Sequence, residues 1–378
     1  MRTTIKVPKN AYSQCYFSQN DRTGNTSQPS LEEIELEISI TDPPTALSAS
    51  SSFSPSSSSN TRDLIVNPPP NPAESPSIKG LAIIAHPLGR LGGNMDDPVV
   101  QSLKSYLLKE RSSRVVTFNS RGVGQSQGSA SWTGKEESWD YQFLLRKMII
   151  DLLGSTSDED GSKNHHYDLY LCGYSAGSLY ASCSFLSDNS RLEDEGKEAY
   201  GIGVDFCRPG PVTADGGRRK AWFRRPRYIL ISYPLDMVWA LSLFRSSFYH
   251  SALERLLKSD WDGGLQERQG DGGEREKRFD GDPRSVGKES IRALASDVLV
   301  IFGLQDQFTK ESSYEKWTTK LSSIAPPPST SSSPRPTKAS STFDQVRIDN
   351  SDHFWRSKDS LGKLTRSVDR WLRILDSS

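Results

Sequence analysis

Short apolar runs that do not alternate with polar residues are the feature that most constrains the fold. Strands that are apolar at consecutive positions are buried on both faces, as in a parallel sheet covered by helices. In chain order the runs are LAIIA (81–85), VVTF (115–118), LYLC (169–172), YILIS (228–232) and VLVIF (298–302). Helical patterns lie between and after them, over residues 99–108, 139–153, 176–186 and 361–375. This alternation predicts an α/β fold, a doubly wound and mostly parallel sheet with helices on both faces.

Four low-complexity stretches interrupt this pattern. They lower the mean hydropathy of the chain, which is −0.60. Such stretches bury too little apolar surface to offset the entropy lost on ordering. They predict one domain over residues 79–378 with inserts, preceded by a segment over 1–43 in which EEIELEISI (32–40) alternates like a half-exposed edge strand. The stretches are a disordered Ser/Pro-rich insert at 44–78, charged and Gly-rich inserts near 187–227 and 258–292, and a Pro/Ser-rich insert near 324–342.

Charge and cysteine usage exclude several classes of protein. Lys and Arg number 47, as do Asp and Glu, so no overall field attracts nucleic acid or an anionic membrane. Four cysteines without CxxC spacing and five histidines predict neither a disulfide framework nor a metal site. No apolar run approaches the ~18 residues of a membrane-spanning helix. We expect a cytoplasmic protein; the first twenty residues contain no acid, which leaves a mitochondrial location as the alternative. The oligomeric state stays open.

One motif in the third apolar run carries chemistry. Gly173-Tyr174-Ser175-Ala176-Gly177 follows LYLC directly and opens the next helical pattern. This is G-x-S-x-G in the strand-turn-helix setting of a nucleophile elbow. The glycines allow backbone and helix to approach closely at a sharp turn, which lifts the serine hydroxyl to the carboxyl edge of the sheet. We predict Ser175 as a nucleophile, against the alternative of a chance serine in a Gly-bounded turn.

A serine nucleophile needs a base, and His353 is the best placed of the five histidines. It follows the last run with strand character, FDQVRI (343–348), and precedes the closing helix, where this arrangement delivers its base in the order Ser, acid, His. Of the other histidines, His165 and His166 lie in the polar loop GSKNHHYD. His250 lies in an amphipathic insertion, and His86 lies at the end of a strand.

The base in turn needs an acid that orients it and stabilises its charged form. Asp306 follows the strand VLVIF at the carboxyl end of the sheet, where catalytic groups gather. Asp236, just past YILIS, is the second choice. Asp349 and Asp352 lie too close to the histidine in sequence to face its ring from across a cleft.

Two backbone N–H groups are predicted to bind the oxyanion of a tetrahedral intermediate. One belongs to Ala176, directly after the nucleophile, and the other to Leu88 in the turn HPLGRLGGNM that follows LAIIA. His86 is expected to hold this turn. The run RGVGQSQG after VVTF has G-x-G-x-x-x-G spacing and no following helix, so it does not predict a dinucleotide site.

These blocks in order resemble a small family of uncharacterised serine α/β-hydrolases with the motifs HPHPxxGGxMxNxVV and FNFRGVGxSxG. The resemblance is collinear from about residue 78 onward, broken only by the inserts, and implies an α/β-hydrolase fold with nucleophile, acid and base at Ser175, Asp306 and His353. X-Pro dipeptidyl-peptidases and dienelactone hydrolases are similar at the level of fold. The departures bear on pocket shape rather than on the triad; they are Leu88-Gly89 for the second HP, Phe118-Asn119-Ser120 for FNF and Gly303-Leu304 for the GD before the acid.

The sequence therefore predicts a serine hydrolase, esterase-like, that acts on a small-molecule acyl substrate without metal or organic cofactor. The same residues serve peptidases and acyltransferases, and a catalytically idle binding protein is the alternative from another class. The aromatic segment 234–257 is predicted to cap the pocket, since it follows a strand at the carboxyl edge. Packing of that segment on the sheet is the competing interpretation.

Overall fold

The structure is a computed structural model that describes residues 1–9, 33–44, 77–155, 165–184, 221–241, 246–258, 260–261, 295–325 and 339–377. Its strands are β1 (Arg2–Pro8), β2 (Glu33–Thr41), β3 (Gly80–Ala85), β4 (Ser113–Phe118), β5 (His165–Tyr174), β6 (Ala221–Phe223), β7 (Arg227–Ile231), β8 (Asp260–Trp261), β9 (Asp297–Gln305), β10 (Ala339–Ser340) and β11 (Thr342–Asp352). Its helices are α1 (Pro98–Lys109), α2 (Lys135–Ser155), α3 (Ala176–Cys183), α4 (Val238–Leu241), α5 (Ser246–Lys258), α6 (Glu311–Ile324) and α7 (Lys358–Ser377).

Eight of these strands lie side by side in the order β1-β2-β4-β3-β5-β7-β9-β11. The pairs β1–β2 and β2–β4 are antiparallel, and every pair from β4 to β11 is parallel. Strand β6 pairs with β5 off this path. A mostly parallel sheet in this strand order, with helices on both faces, is an α/β-hydrolase fold, so the fold class predicted from the sequence is confirmed.

Two apolar cores cover the faces of the sheet. Ile83 of β3 lies in the core that α2, α3, α5 and α6 close, and Ile84 lies in the opposite core beneath α1 and α7. Both side chains are almost completely buried. Neighbouring strand residues therefore meet apolar helices on either side, which explains why the sequence runs do not alternate.

The N-terminal strand pair corrects one expectation. The alternating segment becomes β2, but it is not an edge strand, because β1 pairs with its outer side from Arg2↔Ser39 to Pro8↔Glu33. Strand β1 was not predicted. Two alternating apolar residues, Ile5 and Val7, are too few to predict a strand without knowledge of its pairing with β2. Both are buried in the structure.

The loop predicted around the two adjacent histidines is also corrected. Residues His165 and His166 begin β5 rather than lying in a polar loop, because they pair with Ala221 and Trp222 of β6. That short strand comes from a region assigned to an insert. His166 is nevertheless exposed, as expected for a solvated side chain.

The four predicted inserts lie largely outside the described residues. Their ends are structured in part: Ile78 packs against the core, Phe223 is buried and Lys258 ends α5. Residue Ile324 ends α6, and Thr342 begins β11. The domain boundaries around the remaining insert residues stay a prediction.

The segment predicted as a cap contains α4 and α5. Four residues of α5 are buried in the core that also contains α2 and α3, as the sheet-packing interpretation expects: Tyr249, Leu253, Leu256 and Leu257. Residues 242–245 and the side chain of Trp239 lie outside the described part of the chain. A capping role for 234–257 stays a prediction. Of the helices that are described, none is both long and apolar enough to cross a membrane.

Candidate active site

Ser175 lies in the sharp turn between β5 and α3. Its backbone has φ 53° and ψ −120°, a conformation that a non-glycine residue adopts only when its surroundings impose it. The two motif glycines allow the neighbouring backbone to pack closely around this turn. A Cβ on Gly173 would lie 2.2 Å from the Gly177 carbonyl oxygen, and one on Gly177 would lie 2.4 Å from the Ala85 carbonyl oxygen. The helix can therefore start against β3 only because both positions lack a side chain.

His353 follows the end of β11 and reaches back to the serine. Its Nε2 lies 2.8 Å from Ser175 Oγ, and its Nδ1 lies 2.8 Å from Asp306 Oδ2. The His353 residue is 2% exposed and the Asp306 side chain is 0% exposed. The structure thus brings all three residues singled out in the sequence into one continuous hydrogen-bonded chain that is shielded from water.

Asp306 is surrounded by donors suited to a carboxylate. Its Oδ1 accepts from the N–H groups of Phe308 and Thr309 at 2.8 and 3.1 Å. Its Oδ2 accepts from the Tyr314 hydroxyl at 3.4 Å as well as facing His353. These contacts hold the carboxyl group in place, so that Oδ2 can accept from Nδ1–H and fix the tautomer in which Nε2 faces the serine.

The alternative acids are occupied elsewhere. Asp236 Oδ2 accepts from the Lys310 N–H at 2.9 Å and the Ser313 hydroxyl at 3.0 Å, so it stabilises the first turn of α6. Asp352 pairs with Arg356 at 3.4 Å, and Asp349 is exposed. None of the three hydrogen-bonds to His353 within the described residues.

The turn after β3 holds Leu88, one of the two predicted oxyanion donors. The Leu88 carbonyl accepts from the N–H groups of Leu91 and Gly93 at 3.0 and 3.1 Å, which closes the turn. Among the described residues, neither the Leu88 N–H nor the Ala176 N–H has a hydrogen-bond partner. Both groups are therefore available to a ligand.

His86 holds this turn from within. Its Nε2 accepts from the Ser120 N–H at 2.9 Å, so Nδ1 carries the proton and donates to the Pro87 carbonyl at 2.5 Å. Burial lowers the pKa of His86 to about 4. A neutral imidazole joins β3 to β4 here. His250, on α5, also has a lowered pKa, chiefly because it is partly buried and also because Lys320 is nearby.

Sequence reasoning missed three residues that surround the imidazole of His353. The Tyr174 hydroxyl donates to the His353 carbonyl at 2.7 Å, and Gln307 Oε1 accepts from the His353 N–H at 3.1 Å. Phe308 lies edge-on to the His353 ring, with centroids 4.5 Å apart. The available signal was adjacency, since Tyr174 precedes Ser175 and the other two directly follow Asp306.

The described side chains include no group of three or more His, Cys, Asp or Glu residues that could hold a metal ion. The chemistry that this arrangement can perform is proton transfer from a serine hydroxyl to an imidazole backed by a carboxylate. Such a group makes an alkoxide-like nucleophile available near neutral pH.

Comparison with solved structures gave matches, among them three of low sequence identity. No protein-family model matches the sequence, and no curated protein matches it. An alpha-beta serine hydrolase homologue from Coxiella burnetii aligns over 89% of this chain and 91% of its own, at 17% identity and a TM-score of 0.45. A serine hydrolase without a lid from Xanthomonas campestris covers 89% of both chains at 18% identity and 0.39. An esterase from Pyrococcus furiosus covers 90% and 88% at 10% identity and 0.42. These TM-scores are low, so the fold assignment rests on the strand order of this chain.

Proposed function

We propose that this protein is a serine hydrolase that cleaves a carboxylic ester or a related acyl compound through an acyl-enzyme. The single observation that carries the proposal is the pair of 2.8 Å contacts joining Ser175 Oγ, His353 and Asp306. Ser175 is the nucleophile, His353 the general base and acid, and Asp306 the group that orients and stabilises the imidazolium.

In the acylation step Ser175 Oγ attacks the acyl carbonyl carbon while His353 Nε2 takes the hydroxyl proton. The carbonyl π bond opens to an oxyanion, which the N–H groups of Leu88 and Ala176 stabilise by hydrogen bonding. The imidazolium then gives its proton to the leaving alcohol oxygen as the bond from that oxygen to the acyl carbon breaks. The acyl group remains on Ser175.

Deacylation repeats these steps with water in place of serine. His353 takes a proton from water, the hydroxide oxygen adds to the acyl carbon, and the Ser175 oxygen leaves with the proton that His353 returns. The products are a carboxylic acid and the regenerated serine. Base, nucleophile and oxyanion donors all come from this chain, so the mechanism needs no cofactor.

The same geometry serves ester, amide and acyl-transfer reactions, and the narrower choice of ester rests on sequence reasoning. A catalytically idle binding protein is the alternative from another class. The hydrogen-bonded connection of all three groups favours an enzyme, because a binding protein has no need of a polarised serine. A cytoplasmic location is part of the same proposal.

Labelling with a fluorophosphonate probe, followed by turnover of an ester panel, tests this function. We expect the wild-type protein to be labelled and to hydrolyse at least one short-chain ester. Ser175→Ala removes the nucleophile and should abolish both signals.

Ser182→Ala is the matched control for this experiment. Its hydroxyl donates to the Leu179 carbonyl on the same helix and lies 3.4 Å from the Tyr233 hydroxyl, and it bonds to no triad residue in the described part of the chain, so labelling and turnover should remain. Labelling of the Ser175→Ala variant, or a wild-type protein that neither labels nor turns over any ester, amide or acyl-transfer substrate, would contradict the proposal.

A further inference from the structure

Both peptide groups of His353 are held by side chains rather than by a neighbouring strand. The His353 carbonyl accepts from the Tyr174 hydroxyl at 2.7 Å, and the His353 N–H donates to Gln307 Oε1 at 3.1 Å. Tyr174 directly precedes Ser175, and Gln307 directly follows Asp306. The residue before the nucleophile and the residue after the acid therefore both bind the backbone of the base, His353.

The backbone around His353 explains why side chains are needed. The pairing of β11 with β9 shifts register between Ile348 and Asp352, and β11 ends at Asp352. Asn350 and Trp355 both have positive φ, at 55° and 53°. The chain here leaves the sheet, so the amide groups of His353 need other hydrogen-bond partners.

Tyr174 is a rigid support for this segment. The residue is only 2% exposed, and it lies in the core beneath α1 and α7. The Tyr174 ring also lies 5.9 Å from the His353 ring, centroid to centroid. A side chain fixed by packing holds its hydroxyl in one place, and the His353 carbonyl is held with it.

Gln307 binds the other peptide group of His353. Its residue is exposed, but its amide oxygen reaches the His353 N–H from the turn that also carries Asp306. The same turn supplies two N–H groups to Asp306, from Phe308 and Thr309. One turn therefore carries both the acid that faces the imidazole and the side chain that accepts from the His353 N–H.

We propose that Tyr174 and Gln307 are positioning residues that keep His353 in register between Ser175 and Asp306. This inference rests on the proposed function for its effect on turnover, but not for its effect on geometry. Neither side chain reaches the reacting atoms. Each holds one of the two peptide groups that flank the Cα of His353, and displacement of a reacting group by ~1 Å costs about 100-fold in rate.

Tyr174→Phe, compared with Tyr228→Phe, tests the tyrosine. Tyr228 is a matched control because its fully buried hydroxyl also donates to a backbone carbonyl at 2.7 Å, that of Ser184, far from His353. Both variants should lose similar stability. Only Tyr174→Phe should lower kcat, by ~10- to 100-fold with KM nearly unchanged. Equal kcat in both variants would overturn the role assigned to Tyr174.

Gln307→Met, compared with Gln101→Met, tests the second contact. Gln101 also bonds a backbone group by its side chain, donating to the Met95 carbonyl at 2.7 Å. We expect a fall in kcat for Gln307→Met alone. The double variant Tyr174→Phe with Gln307→Met should lose less than the product of the two single losses, because both side chains hold the backbone of one residue, His353.

A measurement that needs no turnover separates this inference from the proposed function. In protein labelled with nitrogen-15 histidine, the His353 Nδ1 proton bonded to Asp306 should give a downfield resonance, assigned by its loss in His353→Asn. The resonance should exchange faster with water in Tyr174→Phe than in Tyr228→Phe. If exchange is faster in Tyr174→Phe but the wild-type protein neither labels with the probe nor turns over any ester, amide or acyl-transfer substrate, the positioning role stands and the proposed function fails. Identical exchange in both variants would overturn the positioning role.

Discussion

Gly177 packs directly against Ala85: a Cβ at position 177 would lie 2.4 Å from the Ala85 carbonyl oxygen. That oxygen belongs to the last residue of a buried strand and cannot move aside cheaply. Gly177→Ala should therefore lower the free energy of unfolding by about 1–3 kcal/mol and displace the serine elbow.

Urea unfolding and ester turnover measure both effects of Gly177→Ala. The control is Gly362→Ala in α7, where an added Cβ meets only the flexible end of Arg366, at 3.2 Å. Alanine in a helix should raise stability there by about 0.5–1 kcal/mol. A Gly177→Ala variant with wild-type stability and turnover would show that the helix can shift without harm.

Asp306→Asn should reduce kcat by about 10⁴-fold, because an amide neither holds the required tautomer nor stabilises the imidazolium. Asp236→Asn is the control, since its hydrogen bonds to Lys310 and Ser313 lie at the start of α6 and an amide oxygen can still accept them. Steady-state kinetics of the two variants decide which aspartate is the triad acid. A larger loss for the Asp236 variant would assign the acid to the earlier strand.

His86 should make the fold sensitive to acid. Its pKa falls from 6.5 to about 4 on folding because burial disfavours the charged form. The neutral imidazole therefore stabilises the fold fully above pH 6.5, and this contribution is lost as the pH falls toward 4. The loss amounts to about 3 kcal/mol at most.

Urea unfolding at steps across that pH range tests the prediction, with His86→Gln expected to flatten the slope. Subtracting the unfolding free energy of the variant from that of the wild type removes the contribution of titrating groups that both proteins share. One such group is Asp140, whose pKa is raised to about 6 chiefly by burial. His166→Gln, at an exposed position, should leave the slope unchanged. The same slope in all three proteins would contradict the role assigned to His86.

Leu253→Ala separates the two interpretations of α5. Leu253 is fully buried in the sheet core, so its truncation should lower the free energy of unfolding by about 2–5 kcal/mol. If α5 serves only as core, the ratio of kcat/KM for short and long acyl esters should stay constant. Leu364→Ala in α7, equally buried in the opposite core, is the control. A changed ratio for Leu253→Ala alone would favour a cap.

Strands buried on both faces could be predicted from sequence because their signal is local. LAIIA covers all of β3 except Gly80, and VLVIF covers the first part of β9, which extends to Gln305. Strand β1 and the first residues of β5 could not be predicted, because each becomes a strand only by pairing with a partner distant in the chain. Helix α6 was also missed; only three of its residues are buried, which leaves a weak periodic pattern.

The site divides in the same way. Ser175, Asp306 and His353 could be singled out because each follows a strand and belongs to a residue type with the required chemistry. Tyr174 and Gln307 carry no such signal. Their roles depend on the course of the backbone at and beyond the end of β11, where a register shift and positive φ angles at Asn350 and Trp355 precede and follow His353.

The base is attached to the outermost strand. In the described part of the sheet, β11 pairs only with β9, whereas the nucleophile follows the interior strand β5. Outer strands open at lower free energy than a buried centre, so mild denaturant or warming should detach His353 while most of the sheet remains intact. A preparation could then keep its circular dichroism spectrum after its hydrolysis has gone. Loss of activity in storage would then indicate local opening of β11, well before the whole protein unfolds.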